Sequence, residues 1–260
     1  MIKNTNNYLK IGILALSIGC VALGIYLYNW EYRDPVLEMH FFSLTRGRSI
    51  FIRTPSSKTI LVGGGQTSET IRELTKVMPF YERRIDYLVI PSAAPAQIGG
   101  LVEILDRYEI GEVVMPKIMA TSTAFEALER KIRKQKIHVE EVERGEMIEI
   151  EDGVKATILF PYESFKFNKT SLPELGLSIS YGSTTAYLLG NLSKTVQKDI
   201  LKNMELPTTQ NIVEFYHGAT PAKVSPELLE KIDPYFTFST KEKTTRVVSD
   251  GETWKREKRN

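Results

Sequence analysis

The stretch that invites chemistry is Tyr87-Leu-Val-Ile-Pro-Ser-Ala-Ala-Pro-Ala-Gln-Ile-Gly-Gly100. An apolar run, Tyr87 to Ile90, reads as a buried strand. A sharp loop follows, and Gly99-Gly100 leads into a helix that begins near Ile98. In α/β proteins the loop beyond a strand's carboxyl end is where substrates and metals are met. This loop holds Pro91, Ser92, Ala93, Ala94, Pro95, Ala96 and Gln97. None of these ionises, and none is a strong metal ligand. The position is that of an active site, but the side chains are not. The other candidates are His217-Gly218, the basic pair Arg46 and Arg48, and Gly63-Gly64-Gly65 before a helix. A glycine-rich loop at a helix start can cradle phosphate. Here it lacks both the Lys-Ser/Thr of a P-loop and the spacing of a dinucleotide fingerprint, so a tight turn is the plainer reading.

The 260-residue chain has three histidines, His40, His138 and His217, and one cysteine, Cys20. Three are few for a zinc hydrolase and too few for a four-ligand site built from imidazoles, and a single cysteine excludes an intramolecular disulfide framework. Net charge is +2 with 25% charged residues. This is ordinary globular composition and does not call for a polyelectrolyte partner.

Residues 1–10 are a polar tail. Ile11 to Trp30 is a run without a charge, long enough as a helix to span about 30 Å, one bilayer core. Tyr26, Tyr28, Trp30 and Tyr32 crowd its far end like an interfacial belt. A cleaved signal peptide is disfavoured by the length of the run and the lack of a small-x-small site. A lipoprotein site at Ser17-Ile-Gly-Cys20 would leave another apolar decapeptide behind. Lys3 and Lys10 precede the run, which predicts a cytoplasmic N-terminus, a single-pass cell-membrane anchor over 11–30 and an extracytoplasmic main domain. A linker over 31–36 leads to the domain at 37–260.

The elements that must position the loop follow from periodicity. Strands are expected at Val36–Leu44, Ser49–Thr54 and Thr59–Val62, with a helix from Thr67 or Ser68 to about Pro79. Beyond the central loop come a helix at Leu101–Tyr108, a strand at Glu112–Met115 and an amphipathic helix at Ser122–Lys136 capped by Thr121. The basic residues of that helix, Lys131, Arg133, Lys134 and Lys136, are interspersed with Glu126 and Glu129 and read as a solvated face. His138 opens a strand to Val142 and reads as structural. Asp152-Gly153 and Gly182-Ser183 mark hairpins. A helix at Ser193–Met204, a strand at Ile212–Tyr216, a helix from Ser225-Pro226, a strand at Tyr235–Ser239 and a hairpin around Asp250-Gly251 complete the chain. Two mixed sheets with helices outside, a four-layer α/β/β/α sandwich, is the architecture this order predicts.

Several segments in this order resemble the metallo-β-lactamase fold, and more narrowly the extracytoplasmic hydrolase-like domain of the ComEC family of competence proteins. The anchors include Leu37-Glu-Met-His-Phe-Phe, Gly64-Gly65, Ile98-Gly-Gly-Leu101, Leu188-Leu-Gly190, His217-Gly218 and Ser249-Asp-Gly251. They span roughly residues 37–255. The family's central loop reads Thr-His-x-Asp-x-Asp-His. Under this resemblance Ser92 stands at the first His, Ala94 and Ala96 at the two Asp, and Gln97 at the last His. Gly63 stands at the Asp before Gly-Gly, Asn191 at the bridging Asp, and Tyr216-His217 at the His-His pair. The family's Asp-Val-Gly-Gln-Gly-Asp turn is Ser43-Leu-Thr-Arg-Gly-Arg48.

Gly63, Ser92, Ala94, Ala96, Gln97, Asn191, Tyr216 and His217 are therefore vestigial metal-site positions. Two bridged divalent ions need several anionic or imidazole ligands, and this set offers one imidazole. Arg46 and Arg48 would add positive charge at the mouth, where with His217 they could form an anion-binding rim. The expectation is a membrane-anchored, catalytically inactive module for binding or assembly, with no cofactor. DNA or another anion is its candidate ligand, and a separate membrane channel protein its candidate partner. The alternative is an active hydrolase or nuclease with non-standard ligands, holding zinc or manganese. One version is a mononuclear site built from His217 with Glu38 or Glu214. Metal-independent hydrolysis through Ser92 would need a His base and an oriented acid, which the sequence does not supply.

Overall fold

In the computed structural model the described residues are 5–31, 35–117, 122–162, 174–206, 210–215, 224–239 and 243–258. The chain divides into two compact units, Met1–Pro35 and Val36–Asn260.

The first unit is one helix, α1 (Thr5–Glu31). Its described side chains are open along their length, with Ile11, Leu14, Leu16, Ile18, Val21 and Leu23 all more than half exposed. Among the described residues, no helix is long and apolar enough to cross a membrane. The span expected over 11–30 is therefore not supported beyond its helical form.

The second unit begins with three strands, β1 (Leu37–Phe41), β2 (Ile50–Arg53) and β3 (Thr59–Val62), before helix α2 (Glu69–Val77). Next come β4 (Arg84–Val89), the short α3 (Pro95–Ile98), α4 (Leu101–Arg107), β5 (Glu109–Pro116), α5 (Thr123–Gln135) and β6 (His138–Val142). The second half runs β7 (Met147–Ile150), β8 (Val154–Phe160), β9 (Gly176–Tyr181), β10 (Thr184–Gly190), α6 (Lys194–Asn203), β11 (Gln210–Phe215) and α7 (Pro226–Ile232). It closes with β12 (Pro234–Ser239), β13 (Thr245–Ser249) and β14 (Trp254–Lys258). Two mixed sheets result, ordered β14-β13-β1-β2-β3-β4-β5-β6 and β12-β11-β10-β9-β8-β7.

Strand periodicity explains the layers. On β2, Ile50 and Ile52 join the core between the sheets, while Phe51 packs with the helices outside. On β3, Ile60 and Val62 point in and Leu61 out. On β10, Ala186 and Leu188 face in, while Tyr187 and Leu189 pack outward with Ile200, Leu228 and Ile232 of α6 and α7. Leu74, Leu101, Ile104, Leu128 and Ile132 of α2, α4 and α5 cover the other sheet. Each sheet is thus apolar on both faces, which only a helix/sheet/sheet/helix stack can bury. At about 1.5–3 kcal/mol per fully buried aliphatic side chain, these three cores dominate the stability of the domain.

Three local expectations change. The N-cap of α5 is Ser122, which accepts from the Phe125 N–H, and not Thr121, which lies outside the described residues. β1 stops at Phe41, which releases residues 43–48 as a loop. His138 is mostly solvent-exposed, 3.4 Å from Glu112, and is not a packed structural residue.

Candidate functional site: a buried guanidinium at the strand ends

Loops beyond the carboxyl ends of β1, β3, β4 and β10 meet the residues entering β9 and Glu214 of β11. The loop after β1 brings Arg48, and the loop after β3 brings Gly63 to Gly65. Backbone bonds lock these two together: Gly65 N–H donates to Arg48 O at 3.1 Å, and Gln66 N–H to Arg46 O at 3.2 Å. The loop after β4 is tied in by Gly64 N–H donating to Gln97 O at 2.8 Å. Gly47 makes this approach feasible. Its φ is +86°, and a Cβ there would lie 1.8 Å from Ala96 O. The segment entering β9 is held by Leu175 N–H donating to Pro91 O at 2.6 Å.

At the centre lies Arg48, with 0% exposure. Its Nη1 donates to Glu174 Oε1 at 2.5 Å, and its Nε stands 3.3 Å from Glu214 Oε1. Glu174 is 6% exposed and Glu214 1%. Gln97 Nε2 donates to the same Glu174 oxygen at 3.1 Å. The backbone N–H of Asn191 donates to the other, Oε2, at 2.9 Å. Glu174 is thus fully engaged. Among the described residues, Arg48 Nε and Nη2, Gln97 Oε1 and both oxygens of Glu214 have no hydrogen-bond partner. Gly190, at φ +54°, leaves the room: a Cβ there would fall 2.2 Å from Arg48 Nη1 and 2.4 Å from Glu174 Oε1.

Charge counting explains the titration of this cluster. One guanidinium balances one carboxylate, and two are present. Burial pushes Glu214 up, Arg48 pulls it down, Glu174 pushes it up again, and the result is about 7. Burial would lower Arg48, but Glu214 and Glu174 outweigh it and hold the guanidinium proton more firmly than usual.

Of the vestigial positions expected from the resemblance, three reach this cluster. Gln97, Gly63 and the Asn191 backbone border the Arg48 cluster. Ser92 is buried, and its hydroxyl accepts from Ala94 N–H at 3.1 Å. No histidine base for it occurs among the described residues. Ala94 and Ala96 are half-buried, and Asn191 is exposed. Tyr216 and His217 lie outside the described residues. Arg46 is exposed, as a rim residue would be, but Arg48 is enclosed and its charge is taken up by carboxylates. Glu38 is committed elsewhere: its Oε1 lies 2.5 Å from His40 Nε2 and 2.6 Å from Arg246 Nε. Burial raises its pKa, but those two partners bring it down to about 2.

Sequence reading missed Glu174 and the role of Glu214. The signal for Glu214 was available: an acid between Val213 and Phe215 in an apolar strand needs a buried partner. Nothing local marks Glu174.

The metal of a dinuclear hydrolase does not fit this donor set. Ser92, Ala94 and Ala96 offer no ionisable ligand, and a guanidinium held between Glu174 and Glu214 opposes a second cation beside it. Among the described residues, no group of three or more His, Cys, Asp or Glu could hold an ion.

The fold is that of the metallo-β-lactamases. YhfI from Bacillus subtilis, a metallo-β-lactamase fold protein, superposes with a TM-score of 0.55 at 10% identity, covering 80% of this chain and 86% of that one. CmlA, a diiron β-hydroxylase from Streptomyces venezuelae, gives 0.50 at 17% identity, covering 80% and 45%. Among curated proteins, the chain is similar to ComE operon protein 3 of Bacillus subtilis (strain 168), 22% identical over 214 residues. That match takes in 76% of this chain and only 27% of the relative's length. No family model matches the chain.

Proposed function

We propose that this protein is a catalytically inactive metallo-β-lactamase-fold domain that serves as a binding or assembly module, carried on a membrane anchor formed by residues 11–30. The observation that supports this reading is the enclosed Arg48 between Glu174 and Glu214, which puts a protein cation among positions where the fold's hydrolases carry metal ligands. The anchor places the N-terminus in the cytoplasm and the domain outside. Similarity to ComE operon protein 3 makes DNA uptake the context for the ligand, with DNA or another anion as the bound species and a separate membrane channel protein as the partner. Arg46 is the exposed cation at the mouth that an anion would meet.

Elemental analysis of the full chain, purified without chelator and then challenged with zinc and manganese, tests the reading. Near-zero metal in folded protein is the expected result. One or two equivalents would overturn it in favour of a metal-dependent hydrolase or nuclease that uses His217. For the ligand, single-stranded DNA should bind with an affinity that falls as salt rises, and Arg46→Glu should weaken it. Binding that ignores both salt and Arg46 would remove DNA at this mouth from consideration.

A further inference from the structure

We infer that Arg48 is the resident cation of this centre, and that Glu174, Glu214 and Gln97 form a latent divalent-cation site that its side chain keeps filled. The inference rests on the reading above that the wild-type centre takes no metal, and goes beyond it by assigning a new ligand set. Three observations carry it. The side chains are deeply buried, with Arg48 at 0%, Glu214 at 1% and Gln97 at 3% exposure. They come from separate parts of the chain: Glu174 before β9 and Glu214 in β11 flank the guanidinium, and Gln97 of α3 joins it through Glu174. Gln97 Oε1 and both Glu214 oxygens accept no hydrogen bond among the described residues, with Glu214 Oε1 held only by the 3.3 Å ion pair to Arg48 Nε, so acceptor capacity at the centre exceeds what the guanidinium uses.

The charge and donor types set the ion. A dication neutralises two carboxylates where a single guanidinium neutralises one, and an amide oxygen completes an all-oxygen set. Such donors suit Mn²⁺ or Mg²⁺ better than a thiolate-seeking ion. Removing the guanidinium leaves two buried carboxylates without a counter-charge and vacates the volume an ion and its waters would need. A buried pair broken on one side is strongly destabilising, so the vacancy itself drives cation uptake.

The experiment uses the full chain with Arg48→Ala and, beside it, Arg48→Met, which retains bulk without charge. Mn²⁺ is the probe, read by thermal unfolding and by bound manganese. Both variants should melt below wild type in EDTA. At a hundredfold excess over Kd, Mn²⁺ should raise at least one of them by roughly 5–10 °C with one equivalent bound. Wild type should show neither effect, and adding Glu214→Gln to the responsive variant should abolish both. If neither variant takes up Mn²⁺, whether folded or refolded from urea in its presence, the inference fails while the proposed function stands. If the gain survives Glu214→Gln, the ion sits elsewhere and the inference also fails. Stoichiometric binding by wild type would sink both readings.

Discussion

Two carboxylates in this domain titrate in opposite directions, and the difference predicts the pH dependence of stability. Burial raises Glu214 in the fold to about 7, from an ordinary glutamate value of 4.5. The folded state therefore holds a proton that the unfolded state releases across that window. Stability should fall as pH rises from about 4.5 to about 7 and then level off. Glu38 is lowered to about 2, so its contribution is fully present above about 4.5 and is lost as pH falls through 2. Thermal denaturation from pH 3 to 8 should show both slopes, and Glu214→Gln should flatten the upper one while leaving the lower. An upper slope unchanged in that variant would assign it to another group. Arg48 also marks where sequence reading stopped. Arginines are seldom buried unless paired, so one beside Gly47 in a loop reads as a rim residue. Its partner Glu174 lies 126 positions away, at the end of a polar stretch without periodicity, and no local pattern could connect them.

At the scale of elements, the strands and turns were legible because burial imposes a period of two and tight turns demand particular residues. Asp152-Gly153 and Gly182-Ser183 do join β7 to β8 and β9 to β10. Element ends were less legible, since they depend on tertiary bonds: β1 gives way at Phe41 to a loop pinned by the Gly65 and Gln66 N–H groups, partners that sequence cannot rank. The end of β10 is the most demanding. Its register with β11 shifts between Leu188 and Gly190, and Gly190 takes φ +54° against the Arg48 guanidinium. Gly190→Ala should cost at least about 2 kcal/mol, from left-handed strain and the clash combined, as measured by urea unfolding. The buried Ser225 cap of α7 accepts from Leu228 N–H at 3.2 Å, and its own N–H donates to Gln197 Oε1 at 2.7 Å. Ser225→Ala keeps the second bond and loses the first, so a loss of about 1 kcal/mol is expected in the same assay. A loss near zero would mean that solvent or a neighbour replaces the cap.

For the whole molecule, the division at Pro35 separates an apolar helix from a domain with three cores of its own. A chain starting at Val36 should fold with the same thermal transition as the full protein and stay soluble, while the full chain should require detergent for extraction. Equal solubility of the two without detergent would argue against residues 11–30 as an anchor. The sandwich itself was readable from element order, because sheets apolar on both faces leave few stackings open.

The guanidinium at the centre has one last consequence. A metal centre is loaded after synthesis, and its occupancy follows supply, competition from other proteins and chelators in the surroundings. Arg48 arrives with the polypeptide, one per chain, and cannot be exchanged or withdrawn. A domain exposed to an environment of fluctuating metal content would keep the same shape at the mouth of its sandwich under starvation and excess alike. Its surface would be as constant for a binding partner as the gene that encodes it.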